Sequence, residues 1–336
     1  MNHNNVMQTT KFLELLQATI KIAIIEDIFP IEENIQYINN LQNVELSKII
    51  PQRIISHNSD HKDNIATAKV FTRQQMVFCG EDIVNTALKL VLPTSDFQVE
   101  WYFHDGDRLD VNDTICRITA PSAILLLLER TILNFIQLLS ATATTTRQYV
   151  DAISGCSSID GQPVKILDTR KTIPHLRFLQ KYAVKTGGGY NQRFGLYDAI
   201  LIKENNLKKF ASIKGAVDFY QVQALSITPN DLWAETYQIQ LEVETLPQFT
   251  EALELQVPQI MLDNMTFEQI NTCIQKLKTY YNQGLSNQNF KKIELEISGD
   301  VTINNVRQYA LTGIHRISIG GLTKNVSAIN LSMLIE

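Results

Sequence analysis

The chain has 336 residues, of which 44% are hydrophobic and 19% are charged, and its formal net charge is −5. These proportions are typical of a globular protein, and the length favours two domains over one small core. Because there is no basic surplus, binding to nucleic acid through a charged surface is disfavoured.

The cysteines and the apolar runs disfavour two further classes of protein. The four cysteines form no CxxC pair and have no histidine at the spacing of a metal site, which predicts reduced structural thiols. No apolar run reaches the roughly 18 residues that cross a bilayer. The N-terminal run at 12–25 is interrupted by Glu14, Gln17 and Lys21, which indicates an amphipathic helix rather than a signal peptide. We therefore expect a cytoplasmic protein.

The first part of the chain predicts an α+β domain. Residues 12–28 place apolar side chains at helical spacing. From 64 to 120, short β-like segments surround one helix, which is typical of a mostly antiparallel sheet. The stretch 121–153 predicts one or two helices that lead into a second domain. We expect the N-terminal domain to cover residues 1–135, and residues 325–336 can also pack on it.

The second part, residues 136–324, alternates β-like runs with helical stretches, as in βαβ units that build a parallel sheet. The runs are VKILDTRK (164–171), AILIKEN (199–205), IQLEVET (239–245), QIMLDNM (259–265), IELEISGD (293–300) and RISIGG (316–321). The predicted helices are 172–186, about 207–225, 247–256, 266–283, 302–312 and 325–335, and the predicted polar surface loop is 282–292. With this number of units, a closed barrel is favoured over an open sheet.

The ends of these runs carry charged residues and glycine pairs. Because the carboxyl ends of parallel strands converge on one face, we expect one site to collect them. The residues that it would gather are Arg170, Lys171, Lys203, Glu242, Asp263, Ser298, Gly299, Gly320 and Gly321. Cations, a carboxylate pair and small residues together indicate an anionic, phosphorylated substrate and a divalent metal.

Two acidic residues lie within apolar runs, where an unpaired carboxylate is costly to bury. On neighbouring strands, Glu242 and Asp263 can share Mg²⁺ with substrate oxygens, or stabilise positive charge that develops on a substrate. The structural alternative is a buried ion pair with Lys203 or Lys171. Glu244 would share a strand face with Glu242, closer to the end of the strand.

Two residue pairs that contain glycine are candidate phosphate sites. Ser298-Gly299 and Gly320-Gly321 each precede a predicted helix, an arrangement in which loop and helix amides hold phosphate. A simple turn is the alternative at either pair. No GxGxxG follows a strand, and no GxSxG is present, so neither a dinucleotide fold nor covalent hydrolysis is indicated.

From about residue 64 onward the chain resembles the quinolinate phosphoribosyltransferases, the carboxylating nicotinate-nucleotide pyrophosphorylases of NAD synthesis. The motifs that carry the resemblance are ERTILNFIQLLSATATTTRQYVDA, ILDTRKTIPHLRFLQKYAVKTGGGYNQRFGLYDAILIKEN, LEVETL, IMLDNM, SGDVTINNVRQYALTGI and ISIGGLTK. The resemblance implies an incomplete, seven-stranded α/β barrel, similar to a TIM barrel, with an N-terminal α+β open-faced sandwich. It also implies a homodimer or a hexamer built from dimers, in which Arg130 reaches the neighbouring active site.

The resemblance further implies roles for single residues and a reaction. The implied catalytic residues are Lys171, Glu242 and Asp263, and the two acids also hold Mg²⁺. The implied substrate-binding residues are Arg130, Thr169, Arg170, Lys171, Gln192, Arg193 and Lys203, and the implied phosphate-binding residues are Ser298, Gly299, Asp300, Ile319, Gly320 and Gly321. The implied reaction joins phosphoribosyl diphosphate and quinolinate to give nicotinate mononucleotide, CO₂ and diphosphate.

Several positions depart from the family pattern. Tyr190, Gln192 and Asn206 stand where the family has histidine, and Asp300 places an acid in a phosphate loop. Glutamine can donate a hydrogen bond but cannot become cationic. Nicotinate or nicotinamide therefore stays an alternative acceptor to quinolinate. A catalytically silent, nucleotide-binding relative is a further alternative, which the intact Arg, Lys, Glu and Asp set disfavours.

Overall fold

The computed structural model describes residues 10–50, 64–224, 239–284 and 292–336. Its internal contacts divide the chain into two compact units. The first unit is Met1–Thr144 together with Val326–Glu336, and the second is Thr145–Asn325. The boundary between the units therefore lies within a long helix.

The first unit is an α+β structure, and its described elements are α1 Thr10–Ile28, α2 Ile31–Asn39, β1 Ile65–Thr72, β2 Met76–Val77, α3 Glu81–Val91, β3 Gln98–Trp101, β4 Arg108–Leu109, β5 Thr114–Pro121, α4 Ser122–Ala152 and β12 Leu331–Ile335. Four strands form an antiparallel sheet in the order β12-β1-β5-β3. Its buried side chains include Ala68, Val70 and Ile118. This α+β unit confirms the predicted class of the N-terminal domain.

Helix α4 is a single helix, and it continues from the first unit into the second. By length and composition alone it could cross a membrane, the one such helix among the described residues. The core helix of a globular protein passes the same test. In the first unit it packs closely against the end of β2 and the residues that follow: Ser140 Oγ accepts from the backbone N–H of Cys79 at 3.1 Å, and Thr144 Oγ1 accepts from the backbone N–H of Val77 at 2.8 Å.

The helix predicted at 325–335 is wrong. Strand β12 occupies its C-terminal half and pairs antiparallel with β1, with Leu331 opposite Thr72 and Ile335 opposite Ala68. A run of five residues is too short for periodicity to separate helix from strand. The outer edge of β1 offers unpaired backbone N–H and C=O groups, and pairing with that edge selects the strand.

The second unit alternates strands and helices, and its described elements are β6 Lys165–Leu167, α5 Arg177–Thr186, β7 Ile200–Ile202, α6 Glu204–Leu207, α7 Ile213–Ala224, β8 Ile239–Val243, α8 Leu246–Glu254, β9 Gln259–Asp263, α9 Phe267–Gly284, β10 Glu294–Ser298, α10 Val306–Ala310, β11 Arg316–Ser318 and α11 Gly321–Lys324. The helix predicted at 302–312 is thus shorter than expected. Most of the predicted loop at 282–292 lies outside the described residues.

The six strands of this unit form one parallel sheet in the order β6-β11-β10-β9-β8-β7. A seventh position comes from the segment at Tyr190, which forms a parallel bridge to Leu167 at the free edge of β6. Among the described residues, no strand pairing joins this segment to β7. In the described part of the chain the barrel is therefore not closed as periodicity favoured, and the incomplete barrel implied by the resemblance is confirmed.

Side chains alternate across the barrel wall with the two-residue period of a strand. On β8, Leu241 and Val243 belong to the apolar cluster that includes Phe249 of helix α8. Gln240 and Glu242, between and beside them, take the opposite face. The polar residues that sit within apolar strand runs thus face the barrel interior, and the apolar ones pack against the surrounding helices.

Candidate active site

The carboxyl ends of the barrel strands surround a cavity of about 750 Å³ that lies wholly in the second unit. Its wall contains every site residue predicted from the sequence except Arg130. These residues are Thr169, Arg170, Lys171, Gln192, Arg193, Lys203, Glu242, Asp263, Ser298, Gly299, Asp300, Ile319, Gly320 and Gly321. They follow six different strands and the Tyr190 segment, so the parallel topology brings them together.

Arg130 lies on α4 in the first unit. Its side chain is 71% exposed and forms an ion pair with the neighbouring Glu129 at 3.2 Å. Because the arginine itself is largely exposed, such a pair is weak and leaves the guanidinium able to reach other groups. Its role across a subunit interface stays a prediction.

Two arginines contribute positive charge to the cavity wall. Arg193 is buried, and one of its terminal nitrogens donates to the carbonyl oxygen of Ala199 at 3.0 Å. Burial, and then the nearby charge of Arg170, lowers the pKa of Arg193 to about 10. The Nε atoms of Arg170 and Arg193 are buried and have no hydrogen-bond partner among the described residues. Two like charges held together with unused donors are suited to an anion with more than one carboxylate.

Gln192 lines the cavity, and its side-chain amide is hydrogen-bonded by residues inside the barrel. Its Nε2 donates to Glu296 Oε1 at 2.7 Å and lies 3.5 Å from Gln240 Oε1. Glu296 is fully buried and its other oxygen accepts from Gln240 Nε2 at 2.9 Å. The donor hydrogens of Gln192 are therefore used inside the barrel rather than offered to the cavity.

Glu242 pairs with Lys203 across the strands β7 and β8. Lys203 Nζ donates to Glu242 Oε2 at 2.6 Å, and the lysine side chain is half exposed while the glutamate is almost fully buried. Burial raises the pKa of Glu242, and Lys203 opposes that shift. The ion pair with Lys203, which the sequence offered as the structural alternative, is thus present.

The acidic residues also lie close together. Glu242, Glu244 and Asp263 place one carboxylate oxygen each within 4.8 Å of one another. Asp263 accepts from Asn264 Nδ2 at 2.9 Å, which orients its carboxylate. Oxygen ligands of this number and charge fit a hard divalent cation that keeps several waters or substrate oxygens. The donor set therefore fits Mg²⁺.

The loop after β10 requires glycine at one position. Gly299 has φ +97°, and a Cβ there would lie 2.0 Å from Asn264 Oδ1. Asp300 follows at φ 45° with its side chain exposed. Asn305 Nδ2 donates to the Asp300 carbonyl oxygen at 3.1 Å. The close approach of Asn264 explains why no larger residue than glycine fits this turn.

The loop after β11 is held against the loop after β6. A Cβ on Gly320 would lie 3.0 Å from Lys171 Cδ, and Thr323 Oγ1 donates to the Lys171 carbonyl oxygen at 2.8 Å. Thr169 Oγ1 accepts from the backbone N–H of Lys171 at 3.0 Å. The aliphatic part of the Lys171 side chain therefore passes close to Gly320.

Two family models together match the chain from residue 51 to residue 334. The model for the C-terminal domain of quinolinate phosphoribosyl transferase matches residues 142–334, and the model for its N-terminal domain matches residues 51–140. The chain belongs to the quinolinate phosphoribosyltransferase family. This membership confirms the resemblance stated on the sequence motifs.

Individual relatives agree with this assignment to the quinolinate phosphoribosyltransferases. The probable nicotinate-nucleotide pyrophosphorylase (carboxylating) of Bacillus subtilis is 35% identical over 79% of this chain and 82% of that protein. The Mycobacterium leprae protein named nicotinate-nucleotide pyrophosphorylase (carboxylating) is 32% identical over 80% and 86% of the two chains. The solved structure of the Francisella tularensis nicotinate-nucleotide pyrophosphorylase superposes with a TM-score of 0.70 at 32% identity, covering 87% of this chain and 96% of that one.

Sequence reasoning missed part of the cavity wall of this phosphoribosyltransferase. The lining residues that it did not name are Leu201, Met261, Asn264, Val301, Thr302, Ser318, Lys324 and Asn325. Lys324 follows Gly320-Gly321 by three residues, so its charge beside a candidate phosphate loop was a readable signal. Ser318 and Met261 lie on strands with the alternation that faces the interior, a signal that needs the strand register.

Proposed function

We propose that this protein transfers the phosphoribosyl group of phosphoribosyl diphosphate to quinolinate and decarboxylates the adduct. The products are nicotinate mononucleotide, CO₂ and diphosphate, as a step of NAD biosynthesis. One observation carries the proposal: two arginines whose buried Nε atoms have no hydrogen-bond partner among the described residues share a cavity with Glu242 and Asp263 of the carboxylate cluster and with two loops that contain glycine. The arginines match the carboxylates of quinolinate, the acidic residues match the Mg²⁺ that accompanies the diphosphate, and the loops match the phosphates.

The acceptor is assigned to the arginine side of the cavity. Arg170 and Arg193 face a pyridine with two carboxylates, with Lys203 nearby at the end of β7. Two guanidinium groups in a buried setting repel each other, and a dicarboxylate relieves that repulsion. Gln192 then contributes shape and polarity to the floor without adding positive charge.

The donor is assigned to the opposite side. Lys171 and the loops Ser298–Asp300 and Ile319–Gly321 offer an ammonium group and backbone amides to the phosphates. Glu242, Glu244 and Asp263 are the residues that would hold Mg²⁺. When bound, Mg²⁺ supplies charge neutralisation for the diphosphate leaving group.

The reaction needs no nucleophilic side chain. The bond between the ribose C1 and the diphosphate oxygen breaks, and the pyridine nitrogen forms the new bond to C1. The ribose carbon carries positive charge in the transition state, which the carboxylates of Glu242 and Asp263 stabilise. The pyridinium nitrogen then accepts the electron density released as the 2-carboxylate leaves as CO₂, and the ring carbon takes up a proton. Positioning and electrostatics therefore account for catalysis.

The assembly proposed with this function is a homodimer, or a hexamer of dimers, in which Arg130 extends to the active site of the neighbouring subunit. Its exposed guanidinium, held by Glu129 alone among the described residues, supports this proposal. We also propose a cytoplasmic location. The packing of α4 against the segment Val77–Gly80 supports one part of it, that α4 is a core helix of the first unit rather than a membrane span.

Turnover assays test the function directly. The purified protein is incubated with phosphoribosyl diphosphate, Mg²⁺ and quinolinate, nicotinate or nicotinamide in turn, and mononucleotide and CO₂ are measured. We expect mononucleotide from quinolinate with one CO₂ for each product molecule. Turnover of nicotinate or nicotinamide alone would overturn the acceptor, and no turnover with any pyridine would favour a silent relative. Arg193→Ala serves as the matched variant that should lose quinolinate turnover.

A further inference from the structure

Helix α5 contains two polar side chains that are completely buried. Gln180 and Lys181 each have 0% relative exposure, and among the described residues neither lines the cavity. Lysine is almost never fully buried unless it is paired, because burial of an unpaired charge is costly. The hydrogen-bond partners of both side chains lie on segments that form the cavity wall or adjoin it.

Lys181 joins the two segments that carry the arginines. Its Nζ forms an ion pair with Asp168 and donates to the carbonyl oxygen of Gln192 at 2.8 Å. Asp168 in turn accepts from the backbone N–H of Gln192 at 2.9 Å. Asp168 lies two residues before Arg170, and Gln192 immediately precedes Arg193. The ion pair therefore ties together the backbone on which both guanidinium groups depend.

Gln180 joins a different pair of segments. Its Oε1 accepts from the backbone N–H of Ile173 at 2.8 Å, and its Nε2 donates to the carbonyl oxygen of Thr323 at 2.7 Å. Thr323 Oγ1 closes the connection by donating to the Lys171 carbonyl oxygen. Gln180 therefore holds the loop that carries Lys171 against the loop that carries Gly320-Gly321.

We propose that Lys181 and Gln180 are positioning residues with separate targets: Lys181 positions the acceptor site, and Gln180 positions the phosphoribosyl diphosphate site. The proposal rests on the proposed function, because that function assigns the acceptor to one side of the cavity and phosphoribosyl diphosphate to the other. Neither side chain touches a substrate, and each acts through the backbone that it holds. If either residue had a purely structural role, its replacement would weaken the binding of both substrates alike.

The Gln180 arm uses Gln180→Met, which keeps the volume and removes both hydrogen bonds. We expect KM for phosphoribosyl diphosphate to rise about tenfold, while KM for the acceptor stays within about twofold. Gln180→Glu is the conservative variant: its carboxylate still accepts from Ile173 but, when ionised, cannot donate to Thr323. It should therefore show the same pattern at pH values at which this buried carboxyl is ionised. An unchanged donor KM in Gln180→Met would overturn this half of the proposal.

The Lys181 arm uses the double variant Asp168→Asn with Lys181→Met. Lys181→Met alone leaves a buried carboxylate unpaired and can prevent folding, whereas the double variant removes both charges. We expect the acceptor KM to rise about tenfold and the donor KM to stay within about twofold. Lys181→Arg with Asp168 intact keeps the charge pair, so its acceptor KM should lie between those of the wild type and the double variant.

A control variant separates positioning from stability. Lys292 pairs with Asp160 at 2.8 Å, before the start of β10 and thus at the opposite end of the strands. Lys292→Met with Asp160→Asn removes an ion pair from the same unit, so it should lower Tm without changing either KM. Equal changes of both KM values in the Gln180 and Lys181 variants, tracking only the loss of Tm, would overturn the proposal.

The test stays separate from that of the proposed function. If the wild type turns over another pyridine, KM is compared for that pyridine instead. If the wild type turns over none, calorimetric titration with phosphoribosyl diphosphate and Mg²⁺ replaces KM. Gln180→Met should then weaken binding and the Asp168/Lys181 double variant should not. The opposite result, or equal weakening in both, would contradict the inference whatever the reaction is.

Discussion

Replacing Glu242 by glutamine separates the charge of this side chain from its shape. Glu242 is 8% exposed, burial raises its pKa, and Lys203 Nζ donates to it at 2.6 Å. Glutamine keeps an oxygen for Lys203, and that half-exposed lysine can also regain water. We therefore expect the free energy of unfolding to change by less than about 1 kcal/mol, the usual range for a partly exposed ion pair.

Catalysis should respond far more strongly. The Glu242 carboxylate is one of three whose oxygens lie within 4.8 Å, and it is the buried one. Removing one preorganised group that stabilises transition-state charge costs about 100- to 1,000-fold in kcat, or about 3–4 kcal/mol. Single-turnover formation of nicotinate mononucleotide measures this loss, and calorimetry of the same sample measures Tm.

The acid limb of the pH profile gives an independent readout. Because the pKa of Glu242 is raised, its carboxylate loses charge at a higher pH than an ordinary glutamate as the pH falls. Wild-type kcat should therefore begin to fall at that higher pH, whereas the profile of Glu242→Gln should lack this limb. Glu244→Gln, which neutralises an exposed member of the cluster, is the matched control and should cost less than about tenfold. Wild-type kcat in Glu242→Gln, or equal losses in both variants, would refute the assigned role.

Three further predictions use the same assays. Arg130→Ala and Lys171→Ala should each be inactive, and mixing them in equal amounts should restore about a quarter of the activity through mixed dimers; no rescue would mean that Arg130 does not act across an interface. Burial lowers the pKa of His315 below its ordinary value of 6.5, so the unfolded chain takes up this proton first and stability is lost as the pH falls below that value; Tm measured from pH 7 to 5 should fall less in His315→Gln, and an equal slope would contradict this. Gly299→Ala should raise KM for phosphoribosyl diphosphate about tenfold, since φ is +97° and the new Cβ would meet Asn264; an unchanged KM would show that the loop adapts.

Local patterns in the sequence were enough to place most of the cavity wall. The runs that end in Arg170, Glu242 and Asp263 are recognisable as strands because their apolar residues face a layer of helices. Their carboxyl ends point the same way in any parallel sheet, which brings those residues to one face whatever the strand order. Whether the barrel closes was not readable from the sequence. Among the described residues, the segment at Tyr190 forms a bridge to β6 and no pairing joins it to β7.

Other features depended on partners that are distant along the chain. The sequence allowed Glu242 either to form an ion pair with Lys203 or to share a cation with Asp263. The strand order β9-β8-β7 places Glu242 between the two, so it is close to both at once. Gln192 was recognised as a departure from the family, but its partner Glu296 lies 104 residues away. Strand β12 was mistaken for a helix because its conformation depends on the edge of β1.

The sequence by itself determined which residue types stand at the ends of the strands and which strand residues face the helices, since a two-residue period and a strand terminus are local properties. Only the tertiary structure decided which of those residues touch: the donor hydrogens of Gln192 are used inside the barrel, and Gln180 and Lys181 hold segments of the site from behind. These contacts depend on the order of the strands and on the position of helix α5. Hydrogen bonds and ion pairs form between groups that are close in space, whatever their separation along the chain.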